Sequence, residues 1–187
     1  MEHLGTKRLE TKKLVLRQFC AEDAEMMFAN WASDPEVNKY LTWPLHKSAK
    51  DSALVLEDWI SHYNEPDYYH WGIELKETGE LIGSIGPVAK KAEIKMLHMG
   101  YCISRKWWNK GITSEALAAL ITFFFEDIGI NRIEAIHDPR NPNSGKVMTK
   151  CGMKYEGTMR EADRNNKGIC DAAMYAILRS DYFANKA

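Results

Sequence analysis

Residues 107–117 read WWNKGITSEAL, and this segment is the most informative part of the chain. It is a short polar loop with one glycine, Gly111, and it leads directly into an amphipathic helix predicted over residues 113–128. The first N–H groups of a helix have no intrahelical partners and lie at the positive end of the helix dipole. The loop therefore favours binding of a phosphate group, with Lys110 adding a cation. An ordinary helix start with a turn glycine has the same pattern, so this segment alone is weak evidence.

Strand-forming runs lie on both sides of this loop and helix. Before it, the runs YHWGIEL, ELIGSIGPV and KMLHMGYCIS predict three consecutive antiparallel strands over residues 69–75, 80–88 and 95–104. After it, residues 132–139 predict a strand that enters by a crossover connection. Two further strands are predicted over residues 153–162 and 169–178, joined by the turn Asn165-Asn166-Lys167-Gly168.

The remaining segments predict one more strand and three more helices. Residues 8–19 predict an opening strand, and the apolar spacing of residues 24–31 predicts a helix that Asp34-Pro35 ends. A second helix is predicted from the capping-box-like Ser48 to Tyr63, and a short one from Asn141 to Gly152. The fold class is therefore α/β, with a mixed, mostly antiparallel sheet of about seven strands flanked by helices.

Composition narrows the class of protein further. The chain has 187 residues with 25 Lys+Arg against 26 Asp+Glu, a formal net charge of -1, which argues against a nucleic-acid-binding protein. No repeat or linker divides it, so we expect a single domain over residues 1–187. The longest apolar run, residues 116–125, is far shorter than the ~20 residues that span a bilayer, so no membrane contact is expected.

The cysteines predict a reducing compartment. The four cysteines, Cys20, Cys102, Cys151 and Cys170, form no C-x-x-C pair and have no histidine at zinc-ligand spacing, so we expect free, mostly buried thiols and no metal. The first ten residues lack the basic and apolar runs of a secretory signal. A cytoplasmic protein is the expectation.

Several motifs, taken together, resemble those of the GNAT acyl-CoA-dependent N-acetyltransferases. The branch that carries ribosomal-protein N-terminal alanine acetyltransferases has a strand ending near G-Y, then W-G-K-G-Y-A-T-E-A, then N-x-x-S and a Gly-aromatic pair. The counterparts here are MGYCIS, WNKGITSEA, residues 141–144 and CGMKYEGTMRE. In the superfamily signature Q/R-x-x-G-x-G/A, Gly111 matches, while Trp108 and Thr113 replace the usual residues. The resemblance implies a GNAT-like fold in which acyl-CoA binds at a splayed strand pair and a helix N-terminus.

The resemblance also implies a set of cofactor contacts. Acetyl-CoA is the implied cosubstrate. Ile103 would hydrogen-bond the pantetheine arm through its backbone, Asn141 would bond it as well, and Ser144 would lie near the thioester sulfur. The pyrophosphate would be held by backbone N–H groups of the loop, namely those of Asn109, Lys110, Gly111, Ile112, Thr113 and Ser114.

The implied reaction is direct acetyl transfer to an amine, with no acyl-enzyme. Ser144 is then the candidate that protonates the departing thiolate. The base is chosen among three residues: Asp163, at the position where the resembling enzymes carry an acidic residue, and its rivals Glu161 and His98. Histidine suits proton transfer near neutral pH. Cys102 and Cys151 have no histidine near them in sequence, so we expect buried structural thiols there.

The acceptor amine is expected to be a protein or peptide N-terminal α-amine, and a small-molecule amine is the nearest alternative. An α-amine has a pKa of about 8, so roughly a tenth is neutral at pH 7. A non-catalytic acyl-CoA sensor on the same fold is a second alternative, and a P-loop nucleotide-binding protein a third, although G-x-x-x-x-G-K-[ST] is absent.

The sequence leaves open whether the protein forms a homodimer. Aromatic residues between the first helix and the first hairpin are mostly expected in the core, with loop members such as Trp43 touching substrate.

Overall fold

The computed structural model describes residues 2–184 and 186. Within them lies an eight-stranded sheet in the order β1-β2-β3-β4-β5-β6-β8-β7, in which β5 and β6 are parallel and the other neighbours are antiparallel. The strands are β1 Leu9–Glu10, β2 Leu14–Arg17, β3 Trp71–Leu75, β4 Leu81–Lys91, β5 Met96–Ile103, β6 Arg132–His137, β7 Lys154–Asn165 and β8 Gly168–Leu178. This confirms the predicted mixed, mostly antiparallel α/β sheet.

Helices cover both faces of the sheet. The α-helices are α1 Ala24–Met27, α2 Pro35–Asn38, α3 Ala49–Ser61, α4 Ile112–Phe123, α5 Pro142–Lys150 and α6 Arg179–Ala184. Two of them continue as π-helical turns, α1 through Phe28–Ala32 and α4 through Phe124–Ile128. The predicted apolar face of α4 is confirmed, because each of its members is at most 3% exposed: Leu117, Leu120, Ile121, Phe124 and Ile128.

The structure differs from the sequence prediction at the N-terminus and adds one strand. Residues 8–19 do not form one strand: β1 and β2 pair as a hairpin with Leu9 opposite Leu16. The turn is closed by Thr11, whose backbone N–H donates to the Leu14 carbonyl and whose hydroxyl accepts from the Leu14 N–H. The two lysines of this turn, Lys12 and Lys13, are exposed to solvent. A continuous strand would place one of them on a buried face, because neighbouring side chains of a strand point to opposite faces of the sheet. The sheet therefore has eight strands rather than about seven.

Strands β5 and β6 separate, and this separation positions the site. β5 pairs with β4 along its whole length, but with β6 only where residues 96–98 face residues 132–134. β6 continues in register with β8 as far as His137 opposite Ala173. A gap therefore opens between residues 99–103 of β5 and the end of β6. The splayed strand pair implied by the resemblance is confirmed.

Within the residues that the structure describes, no helix is both long and apolar enough to cross a membrane. The four cysteines are free, as predicted. The expectation of mostly buried thiols is wrong: Cys170 is buried, Cys102 and Cys151 are half-buried, and Cys20 is exposed just before the helical turn Ala21–Asp23.

Candidate active site

Two cavities meet at the separated strands. The first, which we call the α4 groove, has a volume of about 370 Å³ and lies between the N-termini of α4 and α5. The second, which we call the wide cleft, has a volume of about 1100 Å³ and runs between the α1–α3 layer and strands β4 to β6. Six residues line both cavities: Tyr40, Leu41, Tyr101, Cys102, Asn141 and Ser144. Two molecules bound in the two cavities would therefore meet beside these residues.

The loop before α4 has the backbone conformation that a phosphate-binding turn needs. Gly111 is the N-cap of α4 with a φ of 76°, and a Cβ there would have nothing within 4 Å. Asn109 also has a positive φ, of 60°, a conformation that asparagine tolerates better than most residues. These residues line the groove together with Ile112, Thr113 and Ser114. The unpaired N–H groups at the start of α4 therefore face a cavity that an anion can enter.

Trp107 and Trp108 determine how the side chains around this loop are arranged. The Lys110 side chain does not line the groove, because its Nζ lies over the Trp107 ring, 4.4 Å from the ring centroid. The Ile103 carbonyl accepts a hydrogen bond of 3.0 Å from Trp108 Nε1, which ties the loop to the end of β5. Trp107 Nε1 is buried and has no partner among the described residues, although Trp107 lines the groove.

Four basic residues that the sequence analysis missed line the groove, and one of them, Lys39, pairs with Glu36 of the same groove at 2.7 Å. They are Lys39, Arg140, Lys146 and Lys150. Lys146 and Lys150 lie one turn apart on α5, a spacing that places both on one helix face. Arg140 pairs with Asp138 at 2.5 Å, and this guanidinium holds the pKa of the largely buried Asp138 carboxyl far below its usual range.

Ser144 and Asn141 lie at the start of α5, where the predicted motif places them. Asn141 is the N-cap by backbone position, but its side chain makes no capping hydrogen bond and it lines both cavities. Ser144 Oγ lies 3.0 Å from the hydroxyl of Tyr101, which also donates to the Ser144 carbonyl at 3.1 Å. Tyr101 therefore bridges the gap between β5 and α5. Burial raises the pKa of Tyr101, so its hydroxyl stays protonated at neutral pH.

Two of the three candidate bases line the wide cleft. Asp163 lies on β7 opposite Cys170, and its Oδ1 accepts a hydrogen bond of 2.8 Å from the Arg164 N–H. His98 lies on β5 at the last pair before the strands separate. Glu161 lines neither cavity, since it lies in a bulge of β7 with a φ of 49° and is exposed.

The cysteines near the cavities are poor nucleophiles. Burial raises the pKa of the Cys102 thiol, which lies 3.3 Å from Ser84 Oγ. Burial also raises the pKa of Cys151 to about 12, and its Sγ donates to the Ser114 carbonyl at 3.3 Å. Both side chains are therefore thiols rather than thiolates at neutral pH, which supports the expectation of a direct reaction.

Six of the aromatic residues between the first helix and the β3–β4 hairpin line the wide cleft: Trp31, Tyr40, Trp43, Trp59, Tyr68 and Tyr69. Tyr40 and Trp43 belong to the segment after α2. The Tyr40 hydroxyl donates to the Arg140 carbonyl at 3.0 Å, so this segment spans the mouth of the site. Trp71 and Tyr63 lie outside both cavities, and Trp71 is fully buried in the core.

Comparison with known proteins gives a family match. Residues 13–154 match the family described as "Acetyltransferase (GNAT) domain". The chain is also 32% identical over 171 residues to an uncharacterised N-acetyltransferase, YoaA, of Bacillus subtilis. That alignment covers 91% of this chain and 96% of YoaA.

Two more distant relatives differ in what they act on or bind. The chain is 25% identical to the ribosomal protein uS5-alanine N-acetyltransferase of Escherichia coli, over 82% of this chain and 81% of that protein. In structure it resembles the microcin C7 self-immunity acetyltransferase MccE, solved in complex with acetyl-CoA and AMP. The TM-score is 0.79 at 20% identity, over 90% of this chain and 93% of that one.

Proposed function

Because the chain belongs to the GNAT acetyltransferase family, we propose that it transfers the acetyl group of acetyl-CoA to the α-amine of a protein or peptide N-terminus. The observation that carries the proposal is the meeting of the α4 groove and the wide cleft at Asn141, Ser144 and Tyr101. One cavity has the features of a phosphate site, and the other is open and lined by aromatic residues. Only at this shared wall can molecules held in both cavities react.

The residues of the α4 groove fit acetyl-CoA. The backbone N–H groups from Asn109 to Ser114 hold the pyrophosphate, and the open space at Gly111 lets it approach. Lys146 and Lys150 on α5 offset the charge of the phosphates. Ile103 and Asn141 bond the pantetheine arm at the gap between β5 and β6.

The wide cleft fits a peptide better than a small molecule. Its volume of about 1100 Å³ exceeds the roughly 300–1000 Å³ of most small-molecule sites. The sequence relationship to the uS5-alanine N-acetyltransferase supports the same class of acceptor. An α-amine is also easier to deprotonate than a lysine side chain, because their pKa values are about 8 and 10.4.

The chemistry is divided between residues on two sides of the site. Bound acetyl-CoA supplies the activated acetyl group as a thioester. Asp163 accepts the proton that the amine nitrogen loses as the new C–N bond forms. Ser144 Oγ gives its proton to the departing sulfur, and Tyr101 holds Ser144 in place from across the gap. The half-buried thiols of Cys102 and Cys151 take no part.

The proposal is tested by calorimetric titration with acetyl-CoA, followed by thiol release with N-terminal peptides and small amines. We expect acetyl-CoA to bind, and peptides with a free α-amine to give thiol release that their N-formylated counterparts do not. Thiol release with small amines only would mean that the acceptor is a small-molecule amine and not a protein or peptide N-terminus. Binding without release with any amine would make the protein a sensor, and no binding at millimolar acetyl-CoA would reject the proposal.

Asp163→Asn is expected to lower kcat about 100-fold at every pH between 5.5 and 9.5, because an amide cannot accept the proton of the amine nitrogen. Steady-state thiol release over this pH range measures the loss. Asp171→Asn is a matched control on the same hairpin, because Asp171 accepts the Glu161 N–H at 2.9 Å and lines neither cavity. An Asp163→Asn profile that overlays that of the wild type would exclude Asp163 as the base.

A further inference from the structure

The turn between β7 and β8 lies against a wall of the site, and the mechanism above does not use it. Asn166 Nδ2 lies 2.9 Å from the Asn38 carbonyl oxygen, 2.8 Å from Asn38 Oδ1 and 2.9 Å from the Trp43 carbonyl oxygen. The Asn166 backbone N–H donates to the Leu41 carbonyl at 3.0 Å. A single residue of the turn therefore holds a segment that begins 128 positions away in sequence.

The segment held by Asn166 is part of the lining of the wide cleft. Residues 40–43, which we call the acceptor wall, all line this cavity. They lie between α2 and α3 and belong to no helix or strand, so their shape depends on the hydrogen bonds that their backbone receives. Beyond the wall, the His46 N–H donates to the Ala32 carbonyl at 3.0 Å, which anchors the far end of the segment without Asn166.

Asn38 is the buried link between Asn166 and the acceptor wall. It is the last residue of α2 and is 6% exposed. Its Nδ2 donates to the Trp43 carbonyl at 2.8 Å, so its Oδ1 points the other way and needs a donor. Among the described residues, Asn166 supplies that donor. Removal of the Asn166 side chain therefore leaves a buried oxygen without a partner, which disfavours the present conformation of the wall.

The neighbouring residue of the turn holds the opposite side of the site. Asn165 is buried, and its Nδ2 donates to Asp138 Oδ2 at 2.9 Å. Asp138 in turn binds the Arg140 side chain just before α5, and the Arg140 carbonyl accepts from the Tyr40 hydroxyl of the acceptor wall. The turn between β7 and β8 therefore fixes the acceptor wall relative to the residues that precede α5.

We propose that Asn166 is a positioning residue for the acceptor: through Asn38 it keeps the acceptor wall in the conformation that binds the peptide. This inference rests on the proposed function, in which the wide cleft holds the acceptor. Asn166 and Asn38 line neither cavity, so they touch neither substrate and act through the wall. The apparent affinity for a ligand falls with the fraction of molecules whose site is in the binding-competent conformation. Loss of the Asn166 side chain therefore weakens acceptor binding and leaves the transfer step of the bound acceptor unchanged.

The test is Asn166→Ala, measured by thiol release with a peptide acceptor at saturating acetyl-CoA. We expect KM for the peptide to rise about tenfold and kcat to stay within about twofold of the wild type, the pattern of lost substrate binding. Calorimetric titration is expected to give an acetyl-CoA affinity within about twofold of the wild type, since the proposed phosphate contacts lie in the loop before α4 and on α5. Asn166 is exposed, so we expect the variant to fold.

Asn166→Asp is a second variant that keeps the shape of the side chain. A carboxylate cannot donate, so it would face the same three oxygens without a hydrogen bond to any of them. We expect KM for the peptide to rise at least as much as in Asn166→Ala.

Asn30→Ala is the matched control and is expected to keep the KM of the wild type. The Asn30 amide also donates to a distant backbone carbonyl, that of Leu81 at 2.7 Å, and Asn30 lines neither cavity. An unchanged peptide KM in Asn166→Ala would overturn the role of Asn166. An equal rise of KM in Asn30→Ala would do the same, and so would losses of kcat and of acetyl-CoA affinity as large as the rise in KM.

The wild-type enzyme separates this inference from the proposed function. Thiol release with small amines only would overturn the peptide acceptor, and the same comparison of KM values with that amine would then decide the role of Asn166. Thiol release with no amine at all would overturn both.

Discussion

Ser144→Ala is expected to lower kcat by about 10² to 10⁴-fold while leaving the affinity for acetyl-CoA within about threefold of the wild type. The hydroxyl lies 3.0 Å from Tyr101, on the wall that the two cavities share. In the proposed reaction its removal takes away the proton that the leaving sulfur receives, but it leaves the backbone N–H groups of the loop before α4 unchanged. Thiol release at saturating substrates measures the loss, and calorimetric titration measures the affinity.

Thr149→Val is the control for Ser144→Ala, because Thr149 belongs to the same helix and its hydroxyl donates to the Gly145 carbonyl at 3.0 Å. Thr149 lines neither cavity. We also expect Ser144→Cys, which keeps a proton donor, to retain more activity than Ser144→Ala. A Ser144→Ala enzyme with the kcat of the wild type would show that the sulfur obtains its proton elsewhere.

Gly111→Val is expected to weaken acetyl-CoA binding by about 10- to 100-fold, which is about 1.4–2.8 kcal/mol. Gly111 has a φ of 76°, a left-handed conformation that costs a residue with a Cβ about 1–2 kcal/mol. A valine relieves this strain by moving the loop, and that movement turns the N–H groups at the start of α4 away from the groove. Titration of the purified variant with acetyl-CoA measures the change.

The chain offers a matched control for this variant. Gly79 has a φ of 68°, and a Cβ there would meet nothing within 4 Å, as at Gly111, but Gly79 lies in the turn between β3 and β4, away from both cavities. Gly79→Val should therefore cost similar stability and leave the affinity for acetyl-CoA unchanged. Equal affinities in the two variants would mean that the loop before α4 does not hold the pyrophosphate.

Local patterns predicted most of the fold. Periodicity within short windows of sequence predicts the strands and the apolar face of α4, and turn residues predict the hairpin. The tertiary contacts of these segments agree with their local preferences. The β1–β2 hairpin was missed because its turn, closed by Thr11, contains no glycine or proline. Helix α6 was missed because it is only six residues long.

The candidate site was less predictable than the fold, because it is assembled from distant segments. Lys39 and Lys150 share the α4 groove although most of the chain separates them. Lys110, the cation next to the glycine in sequence, lies on Trp107 instead, and only the three-dimensional packing of that ring decides this. The sequence motif predicted the place of Asn141 and Ser144 at the start of a helix, whereas the hydroxyl that contacts Ser144 comes from β5, far away in sequence.

The separation of β5 from β6 divides the sheet into two blades, one made of β1 to β5 and the other of β6, β8 and β7. At one end three residue pairs join the blades, and at the other Tyr101 reaches from β5 to the first turn of α5. A pantetheine arm bound in the gap would lie where ladder hydrogen bonds are missing and act as a substitute strand. Binding of the acetyl donor would therefore connect the two blades by hydrogen bonds next to the bound acceptor.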